Sequence, residues 1–198
     1  AEKIDITVKC VEKCFPDEPV GVLVNTGTGV AIVEYSEKMS EKERRANLPD
    51  GTLKHRCSNI SLFCFSMDFI KKNVGSTNMP WHLTAKPIYS NGPIAWKFET
   101  FIFDYLASTN AIKALLYPRE RAFAPLKNGA GKDSLETVQQ ALIKYDIATL
   151  EGICGHSIPF CRVELDQQFH YPTEELLSEW KGRAGPFECY IRHNIKPT

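Results

Sequence analysis

Four short stretches carry residue types that could do chemistry. Gly129-Ala130-Gly131-Lys132-Asp133-Ser134 combines glycines, a lysine and a hydroxyl, as phosphate-cradling loops do. A Walker loop would need a further glycine at the position that Leu126 occupies, so the run reads as a turn feeding a helix N-terminus, whose free amides can still help hold an anion. Cys154-Gly155-His156 with Cys161 resembles half a zinc site, or a Cys/His nucleophile pair. No second cysteine pair has the two-residue gap usual in zinc sites and no orienting third group can be located, which favours chance clustering. Lys127 sits in a Pro/Gly-framed loop (Ala124 to Gly129), where a cation could meet a phosphate or simply face water. Glu34-Tyr35 at one strand end and Asn59 at another could offer sugar hydroxyls a carboxylate and an amide, or be ordinary polar strand ends.

These groups need an α/β framework to position them. Ile4, Ile6, Val8 and Cys10 alternate as a strand, and Val20 to Val24 and Val30 to Tyr35 flank a Gly-containing turn as a hairpin. Ser36 to Ala46 is charged and reads as a solvated helix or loop. Asn59 to Phe65 reads as a buried strand, and Ser66 to Gly75 as a capped helix after it. Phe98, Phe101, Ile102, Tyr105 and Leu106 form a helical stripe, which predicts a helix within Trp96 to Leu116. A second helix is expected from an Asp133 cap to about Gly152, then a strand at Cys161 to Leu165 and a short helix over Thr173 to Lys181.

The chain has 198 residues, 43% of them hydrophobic and 24% charged, enough for one medium domain or a domain with a small appendage. Lysine plus arginine number 24 and aspartate plus glutamate 24, so the net charge is zero and there is no long-range field to gather nucleic acid. Apolar runs such as Ile60 to Phe65 fall far short of the roughly 20 residues of a membrane span, so no membrane partner is expected. Seven scattered cysteines suggest reduced thiols and a cytoplasmic location. A strand pattern starting almost at Ala1, without an initiator Met, suggests a piece of a longer chain, whose unpaired strand edges could drive self-association.

Taken together, the segments resemble the eukaryotic-type UDP-N-acetylhexosamine pyrophosphorylases. Lys9-Cys10-Val11-Glu12-Lys13 with Pro19-Val20-Gly21-Val22 is similar to the family's K-V-V-E-K…P-V-G-V, and Val33-Glu34-Tyr35-Ser36-Glu37 to its V-E-Y-S-E. Asn59-Ile60 stands at its G-N-I, with Ser58 replacing the glycine. Pro80-Trp81-His82-Leu83, Lys97-Phe98-Glu99, Phe101-Ile102-Phe103-Asp104, Phe123 to Asn128 and Gly131 to Ser134 continue in register, over about Lys9 to Leu142.

The resemblance implies the second half of a Rossmann-like mixed-sheet nucleotidyltransferase domain over residues 1–152, the sugar-binding side, and a small C-terminal unit over 153–198. It implies uridylyl transfer from UTP to N-acetylglucosamine 1-phosphate. Gly21, Glu34, Tyr35 and Asn59 would bind the sugar, Phe101 and Phe103 would line the wall near the N-acetyl group, and Lys97 and Lys127 would contact phosphates. Phe101 could instead belong to the core stripe, since positions two apart on a helix point differently. The family's Gly-rich loop and Mg²⁺-binding aspartate precede the Lys9 motif, so the chain is expected to hold no metal ligand and to be inactive alone. Transfer to glucose or galactose 1-phosphate, or a noncatalytic sugar-nucleotide module, are the alternatives.

Overall fold

The computed structural model describes residues 3–35, 37, 39–75, 79–187 and 189–192. They form two compact units, one ending at Ala122 and the other beginning at Phe123. In the first, strands β1 (Ile6–Glu12), β2 (Val22–Asn25) and β3 (Val30–Val33) precede helix α1 (Glu41–Arg44), strand β4 (Cys57–Phe65) and helix α2 (Met67–Asn73). Strands β5 (His82–Pro87) and β6 (Ile94–Glu99), a 3-10 segment (Ile102–Ser108), strand β7 (Ile112–Tyr117) and helix α3 (Arg119–Ala122) complete it. The second contains α4 (Leu135–Cys154), β8 (Glu164–Leu165), a 3-10 segment (Gln167–His170), α5 (Glu174–Trp180) and β9 (Tyr190–Ile191).

The first unit is built on a mixed five-stranded sheet in the order β3-β2-β4-β1-β7. β1 lies inside it, with Ile6, Val8 and Cys10 fully buried, as the β-branched alternation requires. It pairs antiparallel with β4 and parallel with β7. The expected hairpin forms β2 and β3, and the Asn25 side chain accepts the Gly27 N–H at 2.8 Å in its turn. Phe69 from the Ser66-capped helix α2, with Phe103 and Leu106 from the 3-10 segment, covers one face of the sheet. β5 and β6 form a separate two-stranded antiparallel sheet.

The helix expected within Trp96 to Leu116 does not form. Its apolar stripe is split between β6, which takes Phe98, and the 3-10 segment, which takes Ile102, Tyr105 and Leu106, with Phe101 extended between them, and β7 takes the end of the span. Aromatic and apolar residues in short runs fit both periods, and here pairing decides: β6 runs in register with β5, and Ile112 to Tyr117 lines up along the buried β1. Thr109 separates the segments, its hydroxyl bonding Asp5 at 2.8 Å. The buried strand expected at Asn59 starts earlier, at Cys57, and in its second half Leu62, 48% exposed, and Cys64 face solvent while Phe63 and Phe65 pack against the core.

Gly152, where a domain break was expected, lies inside α4. Leu150, Ile153 and Cys154 pack with Val163, Phe169, Leu176 and Trp180, so the long helix carries the core of the second unit instead of ending the first. It stops at Gly155, left-handed at φ 79°. Its cap is Ser134, not Asp133: the Ser134 N–H donates to Thr137 Oγ1 at 2.9 Å, while the Asp133 carbonyl accepts from Lys127 and Asn128. The short helix after Thr173 forms as expected, with the Thr173 hydroxyl accepting the Leu176 N–H. Among the described residues no helix is long and apolar enough to cross a membrane.

Ser58 is fully buried in β4, opposite Val11 and Val22, and its hydroxyl has no hydrogen-bond partner among the described residues. Ser58→Ala is expected to stabilise the chain by about 1 kcal/mol, read as a higher midpoint in urea unfolding. A lower midpoint would show that the hydroxyl is satisfied.

Candidate functional site

Register brings the first group of candidate residues together. Val22 pairs with Val33, so Gly21, just before β2, comes to face Glu34, just after β3. A Cβ built on Gly21 would lie 2.5 Å from Glu34 Oε1 and 3.0 Å from its carboxyl carbon, so only glycine lets the carboxylate rest against this backbone. The Gly21 carbonyl accepts the Asn59 N–H at 2.8 Å, which adds β4 to the same corner.

Asn59 owes its aim to a bulge. Pairing jumps from Lys9↔Leu62 to Cys10↔Asn59, leaving Ile60 and Ser61 extra, with Ser61 in the left-handed region at φ 58°. The Asn59 Oδ1 accepts the Ser61 N–H at 2.9 Å, and its side chain also hydrogen-bonds Glu34. Burial, then the neighbouring Glu37 carboxylate, push the Glu34 carboxyl above the usual carboxylate range, against the Asn59 hydrogen bond and the His82 ring.

A second group adjoins it. The Glu37 N–H donates to the Glu34 carbonyl at 2.9 Å, and the Glu34 N–H donates to Glu37 Oε2 at 3.0 Å, closing the turn after β3. Glu37 Oε1 lies 3.0 Å from His82 Nδ1, and Asp104 Oδ2 lies 3.0 Å from His82 Nε2. The His82 ring packs on Phe101 at 4.7 Å between centroids, and Phe101 stacks on Phe103 at 4.6 Å with the planes 16° apart. Phe101 and Phe103 therefore act as a stacked pair. The opposed directions expected of two positions on one helix do not arise, because Phe101 is extended and the 3-10 turn begins after it.

Lys97 sits on β6 and pairs with Glu99 at 2.6 Å; Glu99 stands opposite His82 across the hairpin, so the ion pair shares that strand face. Tyr35 is 60% exposed beside Glu34. A small cleft of about 110 Å³ next to them is lined by Lys13, Glu18, Val22, Glu34, Tyr35 and Glu37. Lys127 belongs to the second unit, exposed in a loop whose neck is tied by the Lys127 N–H to the Asp133 carbonyl at 2.7 Å.

Two residues with no role assigned from sequence stand out in the first unit. Lys13 is buried; desolvation lowers its ammonium pKa most, with Glu18 opposing. His82 is held at both ring nitrogens. Both lie within the resemblance motifs, which was the only signal available. His156, by contrast, spends its nitrogens on the carbonyls of Ser157 and Arg183 at 3.0 and 2.9 Å. Burial raises the neighbouring Cys154 thiol pKa, which disfavours a nucleophile there.

No protein-family model matches the chain. UDP-N-acetylglucosamine diphosphorylase 2 of Arabidopsis thaliana is 33% identical over 199 residues, covering 92% of this chain and 39% of that protein. UDP-N-acetylglucosamine pyrophosphorylase of Saccharomyces cerevisiae is 31% identical over 197 residues, covering 91% of this chain and 41% of its own length. The chain belongs to the UDP-N-acetylglucosamine pyrophosphorylase family. It spans about two fifths of the length of these relatives, 39% and 41%. A crystal structure from Entamoeba histolytica, described as a UDP-N-acetylglucosamine pyrophosphorylase, has the same mixed α/β fold, with a TM-score of 0.73 at 24% identity over 96% of this chain and 50% of that one.

Gly21→Ala is expected to push the Glu34 carboxylate off the backbone without unfolding the sheet, at a cost of about 1–3 kcal/mol. Carbon-13 NMR titration should then show the Glu34 carboxyl pKa returning toward its ordinary value; an unchanged pKa would contradict the contact. In the native chain Glu34 binds its proton more tightly folded than unfolded. The stability from that proton is full below the unfolded pKa and lost as pH rises through the raised folded value. Glu34→Gln, neutral at every pH, should therefore raise the urea midpoint at neutral pH and bring it close to the parent's near pH 4. The opposite order would refute the assignment.

Proposed function

We propose that this chain forms the sugar-phosphate side of a uridylyltransferase that makes UDP-N-acetylglucosamine and pyrophosphate from UTP and N-acetylglucosamine 1-phosphate. One observation carries the reading: the Glu34 carboxylate, set against Gly21 and hydrogen-bonded by Asn59, ends a half-buried corner where register holds three strand ends together. An ionised carboxylate accepts two hydroxyls and an amide both donates and accepts, which suits the neighbouring hydroxyls of a sugar ring. The stacked Phe101 and Phe103 give a flat apolar wall for an acetyl methyl group, and this favours the N-acetyl sugar over glucose or galactose. The relatives' names point the same way.

In the reaction a phosphate oxygen of the sugar 1-phosphate attacks the α-phosphorus of UTP. The new O–P bond forms as the bond to the β-phosphate bridging oxygen breaks, and pyrophosphate leaves with that electron pair. No covalent enzyme intermediate is needed. By the resemblance, Lys97 would contact nucleotide phosphate and Lys127 sugar phosphate, and a cation beside either anion lowers the charge it presents to the other. Mg²⁺ belongs to the proposed reaction as well. Among the described residues no group of three or more His, Cys, Asp or Glu could hold a metal ion, so they do not fit it and no step here runs through it.

Lys127→Ala, made in the full-length enzyme, should raise KM for N-acetylglucosamine 1-phosphate roughly 10- to 100-fold, the worth of a hydrogen bond to a charged group, and leave KM for UTP within about 2-fold. Steady-state pyrophosphate release measures both. Equal losses for the two substrates would remove Lys127 from the sugar-phosphate side.

A further inference from the structure

His82 joins the two walls of the proposed sugar site. Its Nδ1 lies 3.0 Å from Glu37 Oε1, and its Nε2 lies 3.0 and 3.2 Å from the two oxygens of Asp104. Carboxylate oxygens only accept hydrogen bonds, and a neutral imidazole carries one N–H, so both contacts are satisfied together only by the imidazolium. Each carboxylate is in turn tied to one wall. Glu37 accepts the backbone N–H of Glu34 through its other oxygen at 3.0 Å. Asp104 donates its backbone N–H to the Phe101 carbonyl at 3.0 Å, in the turn that sets Phe101 and Phe103 in their stack. The ring rests on Phe101, and its side chain is 21% exposed.

We propose that His82 is a positioning residue for the sugar: as an imidazolium it ties the Glu34–Glu37 turn to the Phe101–Asp104 turn. In doing so it sets the span between the carboxylate that takes the sugar hydroxyls and the aromatic pair that takes the acetyl group. This rests on the function proposed above. A third tie runs through the β5–β6 hairpin, where His82 stands opposite Glu99, itself paired with Lys97. Burial disfavours the charged ring, but Asp104 and then Glu37 outweigh it and raise its pKa. The charged groups that face the ring or its immediate neighbours are Glu37 and Glu34 from the turn after β3, Asp104 from the 3-10 segment, and Glu99 with Lys97 from β6. The set is predominantly acidic, so loss of the ring's proton would leave the carboxylates repelling one another. The span would loosen as pH rises through the raised pKa.

The test uses the full-length enzyme labelled with nitrogen-15 histidine, alongside its His82→Gln and Asp104→Asn variants. The resonances lost in His82→Gln identify the ring. At neutral pH the His82 nitrogens should report an imidazolium, and Asp104→Asn should lower its titration midpoint. Both variants should raise KM for N-acetylglucosamine 1-phosphate, His82→Gln by roughly 10- to 100-fold, with KM for UTP unchanged within about 2-fold. Preference for the N-acetyl sugar phosphate over glucose 1-phosphate should shrink in both. A residue that only stabilised the fold would lower the melting temperature and leave that preference and the KM split unmoved, which would overturn the proposal. A neutral His82 ring at pH 7, with transfer intact, would overturn the link alone. Absence of transfer to any sugar phosphate by the parent enzyme would overturn the function and the sugar role with it. Asp104→Asn keeps the side chain's shape and serves if His82→Gln fails to fold.

Discussion

The Glu34 carboxylate lies against backbone that has no side chain, and the arrangement of the first unit follows from allowing it to. Gly21 and Glu34 are brought face to face by the β2–β3 register, and the Asn59 amide reaches the Gly21 carbonyl as the pairing continues into β4. A β-carbon at position 21 would occupy the space of the carboxylate oxygen. A slip of one residue in the hairpin would turn Glu34 to the other face. The site is therefore a consequence of strand pairing at least as much as of the residues that form it.

Keeping a carboxylate half-buried beside another is unfavourable, and the surrounding structure offsets the cost. Asn59 is aimed by a bulge that holds Ser61 at positive φ, an uncommon setting for a residue with a β-carbon. Glu37 serves both the Glu34 backbone and the His82 ring. Strain and like charge are gathered at one corner of an otherwise regular sheet, and this is the corner proposed to take the sugar. The rest of the sheet, with Ile6, Val8 and Cys10 fully buried on β1, provides the rigid support.

The second unit rests on a different economy. Its core is the buried stripe of α4 packed with Phe169, Leu176 and Trp180, and it carries Lys127 on a loop tied at its neck by the Asp133 carbonyl. Asp133 sits at φ 55°, which turns that carbonyl toward the loop and leaves capping to Ser134. An aspartate ahead of an apolar run looks like a cap in sequence. Whether it acts as one depends on the loop it must also close.

What the amino-acid order determined by itself was local: the hairpin, the capped α2, the helix after Thr173, and the alternation that makes β1 a strand. In each, the decisive forces act between residues close in the chain, through turn glycines, capping hydroxyls and side-chain period. The Glu34, Asn59 and Phe103 positions were legible through motif resemblance, but not their contacts. Only the tertiary structure decided that the apolar residues from Trp96 to Leu116 form two strands and a turn, because β1 and β5 offer them backbone partners from distant parts of the chain. It alone joined Glu37 to His82 and His82 to Asp104, since hydrogen bonds between residues far apart in sequence leave no period to read.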